Sequence, residues 1–376
     1  MKEVFVIADN IVSPLGYTTK ENFVALCNGQ SAVKQHQDTK KSDKPFFASL
    51  FNANAFDEGD FTKFEQIVIA SIKDAVSKTN IDLATERTAL IISSTKGNIS
   101  LLEENDLTPE LKERISLSSS AQKIAAHFGV TTKPIIVSHA CISGLVALIT
   151  AKRLIQSEKF DTVIVAGADV ISKFILSGFQ SFQAVSDELC KPFDKDRKGI
   201  NLGEAAATVI LSINKPIADA IQLAGGAVSN DANHISGPSR TGEELFQAID
   251  AALQESGIDK KDIGFISAHG TATLYNDDME SKAITLAGLQ HVPLNSLKGF
   301  YGHTLGAAGL LETVVSIQSM REGKIIPTKG FETPGTAMPV NVCIRLTEKY
   351  ITAFLKTASG FGGCNASVIF KLADSS

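Results

Sequence analysis

Short apolar runs alternate with segments of helical periodicity along the first 215 residues of this chain. Runs rich in β-branched residues predict buried strands, whereas apolar positions spaced three and four apart predict helices. Strands are predicted at residues 4–8, 89–93, 135–137, 162–166 and 206–211, and helices at residues 19–27, 61–78 and 110–128. The polar stretch 30–58 is predicted to be a surface loop. Strands that alternate with helices favour an α/β layered fold with a largely parallel sheet.

The same alternation begins again after about Lys215. Strands are predicted at residues 222–228, 263–267, 340–344, 351–356 and 366–372, and helices at residues 243–255, 278–286 and 307–320. We therefore interpret the chain as two halves of similar element order, residues 1–215 and 216–376, which arose by internal duplication and pack face to face.

Composition narrows the class of protein. The chain has 376 residues, of which 44% are hydrophobic and 20% are charged, as in an ordinary globular protein with a substantial core. Its net charge of −5 gives no electrostatic basis for binding nucleic acid or an anionic membrane. No apolar run of about 18 residues predicts a membrane span. The N-terminal residues predict a first strand rather than a signal peptide.

The five cysteines are scattered, and no two of them form a CxxC pair. This spacing predicts neither a disulfide framework nor a zinc site. We therefore expect a cytoplasmic protein, because a reducing compartment suits a chain that keeps a reactive thiol.

Cys141 is the first candidate for chemistry. A β-branched run at residues 135–137 leads to small residues and then to a helical pattern that begins at Leu145, so Cys141 lies at a strand-to-helix turn. Free N–H groups and the positive end of the helix dipole favour a thiolate there. Ser143 and Gly144 leave the turn uncrowded for a substrate carbonyl. An isolated cysteine in an apolar stretch is more often a structural one, so its partners decide the interpretation.

Two histidines lie in glycine-rich turns. His269 follows a predicted strand within residues 266–273, and His303 precedes a predicted helix within residues 298–309. Glycine lets backbone and ligand approach closely, and ligands of α/β folds bind at strand ends and helix starts. A lone histidine is more often a satisfied polar residue. Two of them, together with a cysteine at a helix start, indicate nucleophilic catalysis.

A glycine-rich turn and a charged pair complete the candidate site. The turn at residues 359–365 precedes a strand, so it is not a phosphate-binding loop that opens a helix. Its N–H groups are suited to form one half of an oxyanion hole, and the N–H of Cys141 the other half. Lys298 and Glu312 flank His303. As a pair they would orient the imidazole, although most such pairs are ordinary surface ion pairs.

Together these segments resemble the β-ketoacyl-acyl-carrier-protein synthases, specifically the elongating Cys-His-His type within the thiolase superfamily. The resemblance runs nearly end to end, and the motifs occur in the family's order. The matching segments are residues 11–16, the nucleophile turn 140–144, residues 191–199 and 202–206, the first histidine motif 268–273 with Asp277 and Glu280, the second histidine motif 302–309, and residues 360–363 with Asn365.

The resemblance implies a thiolase-like five-layered αβαβα fold built from two duplicated halves, and usually a dimer. It implies that Cys141 takes an acyl chain from the phosphopantetheine arm of an acyl carrier protein. His269 and His303 would then bind the malonyl thioester of a second carrier and promote loss of carbon dioxide. The carbanion would attack the acyl-Cys141 thioester, giving a 3-oxoacyl product. No metal or organic cofactor is implied beyond the carrier's own arm.

Supporting roles are implied for five further residues. Phe361 would contribute its N–H to the oxyanion hole and gate the substrate channel. Lys298, paired with Glu312, would tune the second histidine. Thr271 and Thr273 would contact the pantetheine arm.

Some features depart from the family pattern. The chain is shorter between Ser94 and Ser138 than typical elongating synthases. Ser359 occupies a position where Phe is common, Cys364 one where Thr is common, and Tyr301 is bulkier than usual. These changes favour a specialised synthase, for example in polyene or pigment assembly.

Three other functions match part of the sequence pattern. A thiolase acting on coenzyme A esters draws support from Cys364, because thiolases use a second cysteine as acid and base, but the second histidine motif and Lys298 match the synthases. A non-catalytic subunit that sets chain length in a heterodimer usually lacks the nucleophile, whereas Cys141 is present here. An initiating synthase is disfavoured because His303 occupies the position where that type has Asn.

Overall fold

The computed structural model describes residues 2–52, 55, 56, 59–103, 105–216, 220–232 and 237–373. The strands are β1 Phe5–Val12, β2 Val33–His36, β3 Phe46–Ser49, β4 Thr88–Ser93, β5 Ile135–Val137, β6 Thr162–Asp169, β7 Leu202–Gly203, β8 Ala205–Ser212, β9 Ile221–Asn230, β10 Phe265–Ser267, β11 Leu294–Asn295, β12 Lys324–Ile325, β13 Thr347–Glu348, β14 Ala353–Gly360 and β15 Cys364–Leu372. The helices are α1 Thr19–Cys27, α2 Lys63–Ser77, α3 Pro109–Arg114, α4 Leu117–Phe128, α5 Ser143–Gln156, α6 Lys173–Ser181, α7 Glu243–Ser256, α8 Leu274–Leu286, α9 Lys298–Tyr301 and α10 Ala308–Glu322. Short 3-10 helices occur at Ile99–Glu103, Lys260–Asp262 and Leu305–Ala307.

Two sets of five strands have the same order. The ten strands follow one another as β11-β10-β14-β15-β9-β1-β8-β6-β4-β5. When the strands of each set are numbered along the chain, both sets have the order 3-2-4-5-1. In both sets the fifth strand, β8 or β15, runs antiparallel to its two neighbours. The two sets meet where Phe5 and Val6 pair with Gln222 and Ile221.

The helices form three layers around these strands. α5 and α10 contact strands of both sets and therefore lie between them. α2 packs on the outer face of the first set with α4 beside it, and α7 packs on the outer face of the second set with α8 beside it. The five-layered αβαβα arrangement is thus confirmed. The predicted sheet, however, is not largely parallel but mixed, in part because a tight turn joins β14 directly to β15 and such a connection requires antiparallel strands.

The clusters of buried apolar side chains lie between the layers of helices and strands. One cluster of buried side chains fills the space between the two sets and includes Leu145, Leu148, Leu310 and Val314 from the central helices. Two further clusters lie under the outer helices. Nearly every residue of α10 is buried, as expected for a helix covered on all sides. The central helices are therefore held by both sets of strands at once.

The starts of α5 and α10 touch through glycines. A Cβ atom added to Gly144 would lie 2.7 Å from the backbone nitrogen and 3.1 Å from the Cβ of Leu310. A Cβ added to Gly309 would lie 3.0 Å from Cγ of Leu145. Only glycine permits this approach. The contact fixes the segments that precede the two helices, which carry Cys141 and His303.

Several predicted elements differ from the structure. The predicted loop 30–58, of which residues 53, 54, 57 and 58 lie outside the described part, contains β2 and β3, where Phe46 and Ala48 are buried. The predicted helix 110–128 is two helices, because the Oγ of Ser116 accepts from the N–H of Ser119 and starts α4. The predicted strand 340–344 makes only one bridge, between Val342 and Leu294. α6 was not predicted.

None of the helices within the described residues combines the length and the apolar character needed to cross a bilayer.

Gly144→Ala should destabilise the protein. The added methyl group has no space beside Leu310, so α5 and α10 must separate, and overpacking of this kind costs about 1–3 kcal/mol of unfolding free energy. Urea unfolding monitored by circular dichroism measures this change.

Gly178→Ala is the matched control. Gly178 also lies within a helix, α6, but a Cβ there would meet nothing within 4 Å. We expect this variant to be as stable as the wild type or more stable by up to about 1 kcal/mol, from helix propensity alone. Equal stability of the Gly144 and Gly178 variants would contradict the tight crossing.

Candidate active site

Cys141 lies in a strained turn between β5 and α5. The preceding residue, Ala140, has a φ of 46°, which is uncommon for a residue other than glycine. Ser143 holds the turn, because its Oγ donates to the carbonyl of Ala140 at 2.6 Å and accepts from the N–H of His139 at 2.7 Å. The side chain of Cys141 is buried and lines a cavity of about 720 Å³. The turn therefore places Cys141 at the wall of this cavity.

The thiol form of Cys141 is favoured at rest. Burial raises the pKa of the Cys141 thiol to about 12, neighbouring Cys364 adds to the rise, and Lys298 opposes it. α5 begins at Ser143, two residues beyond the cysteine, and its dipole also opposes the rise. The expectation that the helix start yields a resting thiolate is thus wrong, because burial outweighs the opposing charges. The proton must leave when the substrate arrives.

His269 lies in a turn that two carboxylates of α8 hold. Glu280 accepts from the N–H groups of His269 and Gly270, each at 2.8 Å. Asp277 accepts from the N–H groups of Thr271 and Ala272 at 2.9 and 3.1 Å. Four consecutive backbone donors thus end on the two buried acids that the sequence motif singled out. Their geometry fixes the imidazole at the cavity wall.

His303 is held through its backbone. Its N–H donates to the carbonyl of Asn201 at 2.6 Å, and its carbonyl accepts from the N–H of Gly203 at 3.0 Å. A Cβ on Gly203 would lie 1.9 Å from the carbonyl oxygen of Tyr301, so glycine is required there. The segment 201–203 therefore acts as a backbone support for the second histidine.

Asp169 provides a further support that sequence analysis missed. This buried carboxylate accepts from the N–H of Gly306 at 2.7 Å, the Oγ of Ser94 at 2.7 Å and the N–H of Thr95 at 3.0 Å. It thereby ties the turn after His303 to the end of β4. The signal in the sequence was a single acid that ends an otherwise apolar strand.

The two imidazoles meet edge to face. Their ring centroids lie 5.2 Å apart with an interplanar angle of 83°. The Nζ of Lys298 donates to the carbonyl of His269 at 2.6 Å and to Oε1 of Glu312 at 2.7 Å, and it lies 3.4 Å from Nδ1 of His269. An ammonium group can only donate, so Nδ1 accepts and Nε2 carries the proton. Lys298 and Glu312 thus form a buried pair, not a surface pair.

Both histidines are neutral at physiological pH. The pKa of His269 lies well below its usual value, because burial disfavours the cation and because Lys298, His303 and Lys356 add positive or competing charge. Burial, Lys298 and Lys356 lower the pKa of His303 in the same way. Neutral imidazoles that carry one N–H donate hydrogen bonds without consuming a proton.

The cavity brings together six of the eight predicted site residues. Cys141, His269, His303, Phe361, Thr271 and Thr273 line it. Lys298 and Glu312 lie behind His269, so the prediction that this pair orients His303 is corrected: Lys298 contacts the first histidine and acts on the second only through its charge. Gly360 lets the glycine-rich turn reach the nucleophile, since a Cβ there would lie 3.0 Å from the backbone nitrogen of Cys141.

Aromatic side chains close one side of the cavity. Phe361 stacks on Phe179 with ring centroids 5.5 Å apart and meets Phe182 edge-on at 5.2 Å. Ser359 donates to Oδ1 of Asn365 at 2.7 Å and thereby fixes the base of the turn. Phe179 lies on α6, and Phe182 is the first residue after the end of this helix. Both were missed because α6 itself was not predicted.

None of the described residues forms a cluster of three or more His, Cys, Asp or Glu side chains suited to hold a metal ion.

Known proteins match this chain over its length. The family model described as "Beta-ketoacyl synthase, N-terminal domain" matches residues 1–215, and the one described as "Beta-ketoacyl synthase, C-terminal domain" matches residues 221–332. The 3-oxoacyl-acyl-carrier-protein synthase 2 of Vibrio cholerae is 27% identical over 98% of this chain and 99% of its own length. The protein of the same name from Staphylococcus aureus is 26% identical over 98% of both chains.

A solved structure agrees in fold. The ketosynthase in complex with its chain length factor from Xenorhabdus doucetiae superposes with a TM-score of 0.87 at 26% identity, covering 99% of this chain and 98% of its own. The thiolase-like fold is thus confirmed.

The raised pKa of Cys141 predicts how its alkylation depends on pH. Only the thiolate reacts with iodoacetamide, so the rate at Cys141 should rise about tenfold per pH unit between pH 7 and pH 10 without reaching a plateau. Peptide mapping by mass spectrometry after timed labelling measures this rate separately from the other four cysteines.

The Cys141→Ala variant identifies the peptide and serves as the control. A rate that levels off near pH 8 would show a stabilised thiolate and would contradict the dominance of burial.

Proposed function

The chain belongs to the β-ketoacyl synthase family, and we propose that it condenses an acyl group held on Cys141 with a malonyl group held on acyl carrier protein. The reaction releases carbon dioxide and gives 3-oxoacyl-acyl carrier protein, in fatty acid, polyene or polyketide-type biosynthesis. The observation that carries the proposal is the convergence of the buried residues Cys141, His269 and His303 on one cavity.

Acyl transfer to the enzyme is the first half of the reaction. The sulfur of Cys141 attacks the carbonyl carbon of the acyl thioester, and the departing pantetheine sulfur takes up the proton that the cysteine loses. The backbone N–H groups of Cys141 and Phe361 are proposed to stabilise the oxyanion that forms between these steps. A covalent thioester divides one difficult condensation into two easier steps.

Condensation is the second half. Nε2–H of His269, together with His303, donates to the thioester carbonyl of the malonyl group, so that the electrons released with carbon dioxide are held as an enolate. The enolate carbon attacks the acyl thioester, a carbon–carbon bond forms, and the sulfur of Cys141 leaves. Lys298, fixed by Glu312, holds the first histidine in the tautomer that this step needs.

The remaining cavity residues are proposed to handle the carrier's arm and the chain. Thr271 and Thr273 lie 2.9 Å apart through their hydroxyl oxygens and offer hydrogen bonds to pantetheine amides. Phe361, packed between two other rings, is proposed to swing aside as the acyl chain enters. Aromatic faces of this kind suit a flat, unsaturated chain, in line with the specialised synthase that the sequence favours.

The proposed reaction requires no metal and no organic cofactor, because the phosphopantetheine of the carrier supplies both thioesters. A reducing cytoplasm is the proposed compartment, since all five cysteines are free thiols.

A second thiolase-like subunit is the proposed partner besides the carrier. β5 ends the strand order, and its residues Ile135 and Ile136 are only half buried. Such an edge invites pairing with another strand. The partner is a second copy of this chain or, as in the Xenorhabdus doucetiae complex, a related chain length factor.

The rival enzyme and partner functions fit the cavity less well. Cys364, which a thiolase would use as acid and base, is buried, does not line the cavity and directs its sulfur toward the carbonyls of Phe361 and His139. A subunit without catalysis would have no need of the assembled nucleophile and histidines.

Intact mass tests the proposal. The wild type, mixed with a panel of saturated and polyunsaturated acyl carriers, should gain one acyl mass and should lose it when malonyl carrier is added, with release of carbon dioxide. Cys141→Ala should gain no acyl mass with any carrier.

The other outcomes are equally informative. No adduct on the wild type, alone or with a chain length factor, would contradict a condensing role. Labelling by acyl-coenzyme A that is discharged without malonyl carrier would indicate a thiolase.

A further inference from the structure

A second lysine is buried behind the active site. Lys356 lies in the middle of β14, where its neighbours in the strand are apolar or small, and it is fully shielded from solvent. A buried lysine is costly unless its charge is paired and hydrogen-bonded. The mechanism proposed above assigns no task to this residue.

Four oxygen atoms surround the ammonium group of Lys356. It donates to the carbonyls of Thr357 at 2.7 Å, Ser267 at 3.1 Å and Ala268 at 3.2 Å. Its fourth neighbour is Oε2 of Glu312, 2.7 Å away. The three donors of the ammonium are thus fully used, and the side chain is held in one position.

Glu312 is shared between two lysines. Its Oε1 pairs with Lys298 and its Oε2 with Lys356. Glu280 lies on the other side, where its Oε1 accepts from the hydroxyl of Thr357 at 2.6 Å as well as from the N–H of His269. The cluster therefore holds two positive and two negative side chains, and their formal charges cancel.

We propose that Lys356 is a positioning residue of the condensing site, which fixes the turn before His269 and completes the charge balance of the buried cluster behind both imidazoles. The carbonyls of Ser267 and Ala268 immediately precede His269, so any movement of the ammonium moves the imidazole. Lys298 holds the same turn by the next carbonyl along the chain, that of His269 itself. The two lysines thus donate hydrogen bonds to three successive carbonyls, those of Ser267, Ala268 and His269.

The charge of Lys356 acts on the histidines across the cluster. The titratable groups around His269 and His303 are Lys298 on α9, Lys356 on β14, Glu312 on α10, Glu280 and Asp277 on α8, and Cys141 across the cavity. Burial is the largest cause that lowers the pKa of either histidine, and both lysines lower it further. Removing Lys356 leaves the cluster with one uncompensated negative charge, and a negative neighbour favours the imidazolium cation.

The test compares three variants. Lys356→Met keeps the length of the side chain and removes the charge. The double variant Lys356→Met with Glu312→Gln removes one charge of each sign and so restores the balance. Lys371→Met, on the adjacent strand β15 and partly exposed, is the matched control for loss of a lysine from this pair of strands.

Proton affinity of the histidines is the direct measurement. Imidazole resonances of the isotope-labelled protein, assigned with His269→Gln and His303→Gln, are followed between pH 5 and pH 9. In Lys356→Met the midpoint of at least one histidine should move upward by about one pH unit, a tenfold gain in proton affinity, and in the double variant it should return toward the wild type. Lys371→Met should match the wild type.

The second measurement is catalytic activity. The interpretation of this measurement rests on the proposed function, whereas that of the histidine resonances does not. For decarboxylation of malonyl carrier, Lys356→Met should have a kcat about tenfold lower than the wild type, with little change in KM. The acid limb of its pH–rate profile should move to higher pH, in step with the histidine midpoint. If the wild type itself fails to decarboxylate malonyl carrier, the proposed function is wrong, while the resonances still decide the role of Lys356.

Folding of the single variant is checked by thermal unfolding. Should Lys356→Met not fold, Lys356→Gln, which keeps hydrogen-bond donors without the charge, replaces it in both measurements. Folded variants whose histidine midpoints equal that of the wild type, or a double variant that titrates like the single one, would overturn the proposal.

Discussion

The contact between the starts of the two central helices determines the geometry of this protein's reactive cavity. Gly144 of α5 and Gly309 of α10 let the helices touch backbone to side chain, where any larger residue would force them apart. Both helices are covered by strands of both halves, so they cannot shift without disturbing both sets of strands. Because Cys141 and His303 lie just before these helices, their separation is set by the packing of the core and not by mobile loops.

The second constraint is electrostatic. The turns around the cavity expose many backbone N–H groups, and buried carboxylates accept them: Glu280 and Asp277 at the first histidine, and Asp169 at the turn after the second. Each acid is costly to bury, and each is offset by several hydrogen bonds. The lysines behind His269 serve the opposite need, since they satisfy carbonyls and balance the acids. The cavity thus has a polar frame that is nearly complete within itself, while one of its walls is aromatic.

Sequence patterns predicted the layered α/β fold, because strands of both halves are apolar runs and the helices between them keep a regular period. They also proposed eight site residues from glycine-rich turns, a cysteine at a helix start and a matching family pattern, and the structure brings six of these around one cavity, with Lys298 and Glu312 behind His269. They failed where tertiary contacts decide. β2 and β3 look like polar loop until Phe46 and Ala48 are seen to be buried. The helix α6 was overlooked although its sequence is amphipathic, with apolar residues at Phe174, Ile175, Leu176 and Phe179. The predicted shift in the pKa of Cys141 was wrong in direction, because a sequence shows the helix start but not the depth of burial. Lys356 was counted as the polar end of a strand, although it is the middle of one.

The repeated strand order has a consequence for the layout of the active site. In each half, a central helix follows the third strand, β5 before α5 and β11 before α10. Cys141 and His303 precede these two helices and therefore stand at corresponding places of the two repeats. The two repeats thus present one topological position twice, filled by a thiol in the first repeat and by an imidazole in the second. A substrate that enters the cavity is therefore placed between two equivalent turns of different chemistry, one from each repeat.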